Sequence, residues 1–261
     1  MPPVLEINGL SKSFDGLRVV NDFSLQLNAG ELRVIIGPNG AGKTTLFNLV
    51  TGALTPDSGE VILKGERITK LPAHQRYRRG LARSFQITNV CLDLTVRQNI
   101  WLAVNSLAPR PWDPIRTPHR RGPVAERVEE TAADVGLHDK LDLVSYSLSQ
   151  ADQRLLEIAI ALSSQPDVVL LDEPTQGVGT KEVQELVEVV IGLAGKTTLL
   201  VIEHNMDCVM AMAHQVTVMA QGSVLAEGSC DAIVANPEVQ RVYLGTSVSC
   251  ENLGSICRER P

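Results

Sequence analysis

The chain has 261 residues, of which 44% are hydrophobic and 21% charged, and its formal net charge is −6. These values are typical of a globular protein with a sizeable core, and they argue against a basic, nucleic-acid-binding surface. Apolar runs are too short to cross a bilayer and no secretory signal pattern is present, so we expect a soluble protein that stays where it is made. The five cysteines fit neither a zinc nor a C-x-x-C spacing and are expected to be reduced thiols.

The N-terminal part of the chain predicts strands on both sides of a glycine-rich loop. Strands are expected at residues 4–7, 19–27, 32–36 and 61–63. The third strand runs directly into the loop, and a helix is expected to follow from Lys43 to about residue 51. A turn at residues 55–59 then precedes the fourth strand.

The middle of the chain changes to a helical pattern. Residues 96–107, 124–135 and 151–162 have the apolar spacing of amphipathic helices. Between the first two, residues 108–123 contain five prolines and predict an exposed loop. Before this block, the arginines at positions 76, 78, 79 and 83 form a basic run, for which a solvated face is the most common meaning.

Strand and helix alternate again after residue 166. Strands are expected at residues 168–171, 197–202, 216–219 and 224–226, and helices at residues 181–193 and 205–213. This alternation predicts an α/β fold with a largely parallel sheet, helices on both faces and the central helical block as an inserted subdomain. Residues 246–261 are polar and aperiodic and predict a mobile tail.

The glycine-rich loop carries the clearest chemical signal. Residues 37–44 read GPNGAGKT and match the phosphate-binding pattern G-x-x-x-x-G-K-S/T, between a strand and a helix as that pattern requires. Glycines let successive N–H groups point at phosphate oxygens, and the helix N-terminus adds partial positive charge. Lys43 can reach the β- and γ-phosphates, and the Thr44 hydroxyl can ligate Mg²⁺. The ATP-binding residues predicted here are Gly37, Pro38, Asn39, Gly40, Ala41, Gly42, Lys43, Thr44 and Thr45.

The apolar strand at residues 168–171 ends in two carboxylates, Asp172 and Glu173. In P-loop enzymes the strand-end aspartate holds Mg²⁺, usually through water. The adjacent glutamate then faces the attacking water and can polarise it as general base. The sequence therefore predicts ATP hydrolysis with Mg²⁺. A guanine-reading N-K-x-D segment is absent, so GTP is not expected as the substrate.

The motifs together resemble the ATP-binding-cassette (ABC) ATPases over roughly residues 4–245. The segment DEPT that begins at Asp172 resembles the Walker B ending of that family, and VIEH, which ends at His204, resembles its switch-histidine strand. Phe85-Gln86 resembles its Q-loop, and SLSQADQR at residues 147–154 lies where its signature segment belongs. Five segments are similar in sequence to the branched-chain amino-acid importers, at residues 80–86, 94–100, 155–159, 221–228 and 242–245. Urea and short-chain amide importers share these segments, so the sequence does not identify the transported solute.

The resemblance implies an architecture. It consists of a P-loop NTPase core with a parallel sheet, an N-terminal antiparallel β subdomain and an inserted α-helical subdomain. The ATPase domain would span residues 4–245, with the core at residues 4–88 and 163–245 and the helical subdomain at residues 89–162.

The resemblance also implies roles for single residues. Gln86 would sense Mg²⁺ and the attacking water, and His204 would contact the γ-phosphate. Phe14 would lie against adenine, although a lone phenylalanine near a strand end is as often part of a core. Ser149 and Ala151 would face the γ-phosphate that a second subunit binds.

Two segments depart from the family pattern. The signature is usually L-S-G-G-Q but reads LSQAD here. Ala151 replaces a glycine, so its methyl group must find room. Asp152 brings a carboxylate towards a helix end that faces phosphate, which is unfavourable unless the side chain turns outward. Gly179 stands where many relatives have an aspartate that bridges two subunits. Both departures concern contacts across a dimer, so we expect hydrolysis to survive.

The partners implied are a second ABC ATPase subunit, identical or paralogous, transmembrane permease subunits and, indirectly, a solute-binding protein; nucleic acid is not expected. The location implied is the cytoplasmic face of the cell membrane, as a peripheral subunit. A nucleotide-binding switch with weak hydrolysis is the alternative that the unusual signature motivates. A soluble cassette ATPase of translation or DNA repair would usually carry two cassettes or coiled-coil arms, whereas this sequence has one cassette and no heptad run.

Overall fold

The computed structural model describes residues 2–84, 90–106 and 122–244. The strands within these ranges are β1 (Leu5–Phe14), β2 (Leu17–Leu27), β3 (Leu32–Ile36), β4 (Ser58–Leu63), β5 (Glu66–Arg67), β6 (Leu81–Arg83), β7 (Val168–Asp172), β8 (Thr198–Ile202), β9 (Gln215–Ala220) and β10 (Ser223–Gly228). The α-helices are α1 (Lys43–Thr51), α2 (Ala73–Arg78), α3 (Val96–Asn105), α4 (Pro123–Asp134), α5 (Gln150–Leu162), α6 (Thr180–Leu193), α7 (Met206–Met212), α8 (Cys230–Ala235) and α9 (Pro237–Leu244). Two short 3₁₀ helices span His138–Lys140 and Ser145–Ser147.

The strands form two sheets. The larger has six strands in the order β10-β9-β3-β8-β7-β6, and every pair in it is parallel except β9 with β10. The smaller sheet is antiparallel, with the order β2-β1-β4-β5. The predicted α/β class, with a parallel core and an N-terminal antiparallel sheet, is confirmed.

The central strands explain where the polar site lies. Every residue of β7 and β8 is buried, as expected for parallel strands that are covered on both faces. Strands β3, β7 and β8 run in one direction, so their carboxyl ends meet at one edge of the sheet. The glycine-rich loop follows β3 there, Glu173 follows β7 and Glu203 follows β8. This edge is where open α/β sheets bind ligands.

Helices α3, α4 and α5 pack against one another and share a hydrophobic cluster with the large sheet. Helix α3 begins with a capping box, in which Thr95 and Gln98 bond to each other's backbone N–H groups. The subdomain boundaries at residues 89 and 162 stay predictions. Within the described ranges, no helix combines the length and the apolarity that a bilayer crossing requires.

Several sequence-based boundaries were wrong. Strand β1 continues to Phe14 instead of ending at residue 7, because register shifts between Ile7 and Leu10 let the strand pass Gly9. Pro123 was assigned to a loop but is the first residue of α4, a position that needs no backbone donor. Helix α3 ends at Asn105, while residues 107–121 and the predicted tail at residues 246–261 lie outside the described ranges.

The basic run was also misinterpreted in part. Arg76 is 1% exposed and the Arg83 side chain 9% exposed, so neither lies on a solvated face. Both guanidinium groups are held by internal acceptors, a placement that depends on packing between distant segments and not on local pattern.

Candidate functional site

The phosphate-binding loop is closely packed at two glycines. A Cβ atom at Gly37 would collide with the carbonyl oxygen of Met219. Gly42 caps the start of α1 with φ of 100°, and a Cβ there would lie 2.5 Å from the carbonyl oxygen of Val19. Residues with side chains are excluded at both positions, since the backbone of the loop touches β2 and β9 directly.

Lys43, the first residue of α1, turns its side chain back over the loop. Its Nζ donates hydrogen bonds to the carbonyl oxygens of Gly37 at 2.6 Å and Pro38 at 3.1 Å. Burial lowers the pKa of Lys43, while the nearby carboxylates of Glu173 and Asp172 raise it. The loop therefore contains a largely buried cation that can pair with phosphate oxygens. The two carboxylates beside it repel added negative charge, so a phosphate group fits here best together with a divalent cation.

The two strand-end acids have different environments. Asp172 is the last residue of β7; its Oδ2 accepts a hydrogen bond from Arg83 at 2.6 Å, while its buried Oδ1 has no hydrogen-bond partner among the described residues. Glu173 has a left-handed backbone with φ of 49°, and its N–H donates to the carbonyl oxygen of Ile202 at 2.9 Å. This uncommon conformation turns the chain sharply at the end of the strand.

The polar groups fit a magnesium ion that arrives with a nucleotide. Within the described ranges, no three His, Cys, Asp or Glu side chains converge on a common metal position. Mg²⁺ commonly uses one or two carboxylates together with substrate phosphates and water. Two oxygen ligands of this kind are available: Oδ1 of Asp172, which has no hydrogen-bond partner among the described residues, and the hydroxyl of the exposed Thr44 in the first turn of α1.

His204 follows β8 and lies beside Glu173. Its Nδ1 is 3.9 Å from Glu173 Oε2, and its side chain is 53% exposed. The backbone N–H of His204 donates to Oε1 of the fully buried Glu203 at 2.9 Å, and that of Asn205 donates to the same oxygen at 3.2 Å. The histidine is thus fixed at its backbone, while its ring reaches the solvent side of the site.

Glu203 also binds the segment that follows Glu173. Its Oε2 accepts a hydrogen bond of 2.8 Å from the hydroxyl of Thr175, and the Cys208 thiol lies against the same hydroxyl. Burial, together with the Glu203 carboxylate, raises the pKa of Cys208 and keeps it a neutral thiol. Sequence reasoning missed Glu203 and Thr175; an acid at the end of an otherwise apolar strand was the available signal.

Replacement of Thr175 with valine is expected to lower the free energy of unfolding by about 1–3 kcal/mol, since a buried carboxylate loses a hydrogen bond. Urea titration monitored by circular dichroism measures the change. Thr175→Ser keeps the hydroxyl and is expected to retain most of the stability. Equal stability of the valine variant and the wild type would show that the Glu203 bond contributes nothing.

Phe14 is the last residue of β1 and is 41% exposed, so it is not a core residue. Lys12 Nζ lies 5.7 Å from the centre of its ring and bonds to Asp57 at 2.8 Å. Phe14 pairs with Leu17 at the start of β2. Two residues further along β2, the carbonyl oxygen of Val19 packs closely against Gly42 of the phosphate-binding loop. An accessible aromatic ring therefore lies in the hairpin that borders the phosphate-binding loop.

The signature segment begins α5. Ser149 is its N-cap and accepts a hydrogen bond from the Asp152 N–H at 3.2 Å, and Ala151 is buried. The Asp152 carboxylate is bound by Lys140 Nζ, at 2.6 Å and 2.7 Å to its two oxygens. The methyl group of Ala151 therefore finds room inside the fold, and the half-exposed Lys140 compensates the added carboxylate.

The structure brings the side chains of Lys43, Asp172, Glu173 and His204 to one edge of the sheet, with Thr44 and Thr45 in the adjoining helical turn. Ser149 and Ala151 lie at the start of α5, which packs on α3, α4 and α6. Gln86 lies outside the described residues. Sequence reasoning did not find Arg83 or Lys140 as partners of site residues.

Comparisons with known proteins found family models, relatives and solved structures that match the chain. A family model described as ABC transporter matches residues 20–176. A second model, described as branched-chain amino acid ATP-binding cassette transporter, matches residues 223–249. The chain is 37% identical over 250 residues to the high-affinity branched-chain amino acid transport ATP-binding protein LivG of Escherichia coli (strain K12), and this alignment covers 93% of this chain and 98% of that protein.

Other relatives extend the range of transport systems. The chain is 34% identical over 246 residues to the lipopolysaccharide export system ATP-binding protein LptB of Acidithiobacillus ferridurans, with 94% of this chain and 98% of that protein covered. A crystal structure of the ADP conformation of an ATP-binding cassette of an ABC transporter matches with a TM-score of 0.83 at 28% identity. That match covers 94% of this chain and 100% of the other.

Proposed function

The chain belongs to the ATP-binding-cassette family of ATP-hydrolysing transporter subunits, and we propose that within this family it powers the uptake of branched-chain amino acids. The observation that carries the choice of solute is the match of residues 223–249 to the model of branched-chain amino-acid cassettes. The similarity to LivG over almost the whole chain supports it. The similarity to LptB shows that the cassette alone does not fix the solute.

ATP binding starts at the loop. The N–H groups of residues 39–44 and the N-terminus of α1 receive the phosphates, and Lys43 moves from its loop carbonyls to the β- and γ-phosphate oxygens. Thr45 adds a polar group in the same turn, and Phe14 offers a ring face to the adenine. The charge attraction and the preformed backbone of the loop act together, so binding needs little rearrangement of the main chain.

The Thr44 hydroxyl, Asp172 Oδ1 and Gln86 are proposed to hold Mg²⁺ with the nucleotide. When bound, this cation supplies positive charge that neutralises the phosphate oxygens. Glu173 accepts the proton of the attacking water as general base. His204, whose exposed ring lies beside Glu173, contacts the γ-phosphate and holds it in line.

The other half of each site comes from a second ABC ATPase subunit, a copy of this chain or a paralogue. Ser149 and Ala151 of one subunit face the γ-phosphate on the loop of the other, at the N-terminus of α5. The Lys140–Asp152 ion pair supports this role, because it compensates the carboxylate that the unusual signature introduces. Because the added carboxylate is compensated, the unusual signature gives no reason to prefer a nucleotide-binding switch over a hydrolysing subunit.

The subunit is proposed to act at the cytoplasmic face of the cell membrane, docked to transmembrane permease subunits that receive solute from a solute-binding protein. Closure of the two ATPase subunits around ATP moves the permease, and hydrolysis resets the pair. Nucleic acid is not expected as a partner, because the chain carries a formal net charge of −6.

Purification from membranes in mild detergent, followed by reconstitution into proteoliposomes with the solute-binding protein, tests this proposal. We expect permease subunits to co-purify and labelled leucine to accumulate in an ATP-dependent manner. Uptake of urea or acetamide in place of leucine would contradict the choice of solute. Absence of any membrane partner would contradict the transporter assignment itself.

A further inference from the structure

Arg83 is a buried cation inside the proposed magnesium site. It ends strand β6, where its register partner is Leu170, two residues before Asp172. Its Nη2 lies 2.6 Å from Asp172 Oδ2, and the two side chains are 9% and 0% exposed. The pair is therefore an internal contact of the site and not a surface salt bridge.

The same guanidinium is anchored on the helix of the phosphate-binding loop. Arg83 Nη1 donates a hydrogen bond of 2.6 Å to Asn48 Oδ1, and the guanidinium carbon lies 5.7 Å from the centre of the Phe47 ring. Asn48 and Phe47 both belong to α1, whose first residue is Lys43. One side chain thus joins the phosphate-binding helix to the carboxylate at the end of β7.

This arrangement makes the two oxygens of Asp172 unequal. Oδ2 is engaged by Arg83, while Oδ1 is buried and has no hydrogen-bond partner in the described part of the chain. Buried ion pairs add little net stability, because the cost of removing both charges from water offsets their attraction. Stability alone therefore does not account for a charged pair at this position, whereas orientation of a ligand does.

We propose that Arg83 is a positioning residue that clamps Oδ2 of Asp172 and leaves Oδ1 presented to the Mg²⁺ of bound Mg-ATP. The inference rests on the proposed role of Asp172 as the magnesium carboxylate. Partners that orient a metal ligand typically contribute about 10–100-fold to metal affinity or activity. In this role Arg83 acts through the Asp172 carboxylate, which it contacts directly.

The test measures metal affinity apart from turnover. Binding of a fluorescent ATP analogue to the purified chain is titrated with Mg²⁺, and Mn²⁺ bound with the analogue is followed by electron paramagnetic resonance. Arg83→Met is expected to weaken the apparent metal affinity by about 10–100-fold and to leave analogue binding in excess chelator unchanged. Arg83→Lys keeps the charge but not the two-pronged geometry, so it is expected to recover part of the loss.

Arg33→Met is the matched control, since Arg33 is 11% exposed and pairs with Glu31 near the opposite end of β3. Its metal titration is expected to match that of the wild type.

A wild-type metal titration of Arg83→Met, or of Arg83→Lys if the methionine variant does not fold, overturns the inference. Asp172→Asn distinguishes the proposed role of Asp172 from that of Arg83. An unchanged metal titration of this variant overturns the proposed role of Asp172 and the inference together. A loss with Asp172→Asn beside an unaffected Arg83→Met overturns the inference alone.

Discussion

Replacement of Glu173 with glutamine is expected to lower ATP turnover of the assembled transporter by about 10²–10⁴-fold, the usual contribution of a general base. Glutamine keeps the size of the side chain but cannot accept the proton of the attacking water. The left-handed turn at Glu173, held by the bond of its N–H to the Ile202 carbonyl oxygen, does not depend on the carboxylate. Binding of ATP is therefore expected to persist while its hydrolysis stops.

Phosphate release and binding of the fluorescent analogue, measured on the same preparation, separate these two effects. Glu185→Gln, an exposed position on α6, is the control and is expected to hydrolyse ATP at the wild-type rate. Turnover of Glu173→Gln within a few-fold of the wild type would assign the base to another group. Loss of nucleotide binding in that variant would instead point to a structural role for the carboxylate.

The second large effect is expected at Arg76, which is 1% exposed and holds the end of the phosphate-binding helix. Its guanidinium donates hydrogen bonds to four carbonyl oxygens, those of Leu49 at 2.8 Å, Val50 at 2.6 Å, Thr69 at 2.6 Å and Leu71 at 2.9 Å. The first two belong to the last turn of α1, where helices lack internal donors. Burial lowers the pKa of Arg76 to about 10, so the side chain is still charged at neutral pH.

Arg76→Met is expected to lower the free energy of unfolding by about 3 kcal/mol or more, because the carbonyl oxygens of Val50, Thr69 and Leu71 are each left without a donor at a cost of about 1–3 kcal/mol. The carbonyl oxygen of Leu49 still accepts from the Gly52 N–H. Arg76→Lys, with three donors on a single nitrogen, is expected to recover only part of this loss. Urea titration at neutral pH measures both variants against the wild type. A loss below about 1 kcal/mol, the range of surface substitutions, would contradict the described network.

The sequence predicted the parts of the site that depend on local order. A strand, eight loop residues and a helix define the phosphate-binding loop, and these features are contiguous in the chain. The acids at the end of β7, Asp172 and Glu173, were likewise visible as an abrupt end to an apolar strand. The alternation of strands and helices was sufficient to predict the parallel sheet, since each strand or helix is short and has a clear hydrophobic pattern.

The missed features all depend on contacts between distant segments. Arg83 and Asp172 are 89 residues apart, and Thr175 and Glu203 are 28 residues apart. A single charged residue in such a pair looks like any surface residue until packing is known, which is why the basic run was assigned to solvent. The Lys140 partner of Asp152 is 12 residues away, beyond the reach of helical spacing arguments.

Vanadate trapping of a photoactivatable, labelled ATP analogue in the purified membrane complex tests the central claim most directly. The subunits are separated after cross-linking, so that nucleotide trapped during hydrolysis is assigned to one chain. Label on this chain is expected, and it should disappear when Lys43→Ala is assembled in its place. Label on the partner ATPase alone, or equal labelling of the Lys43→Ala chain, would contradict ATP hydrolysis at this phosphate-binding loop.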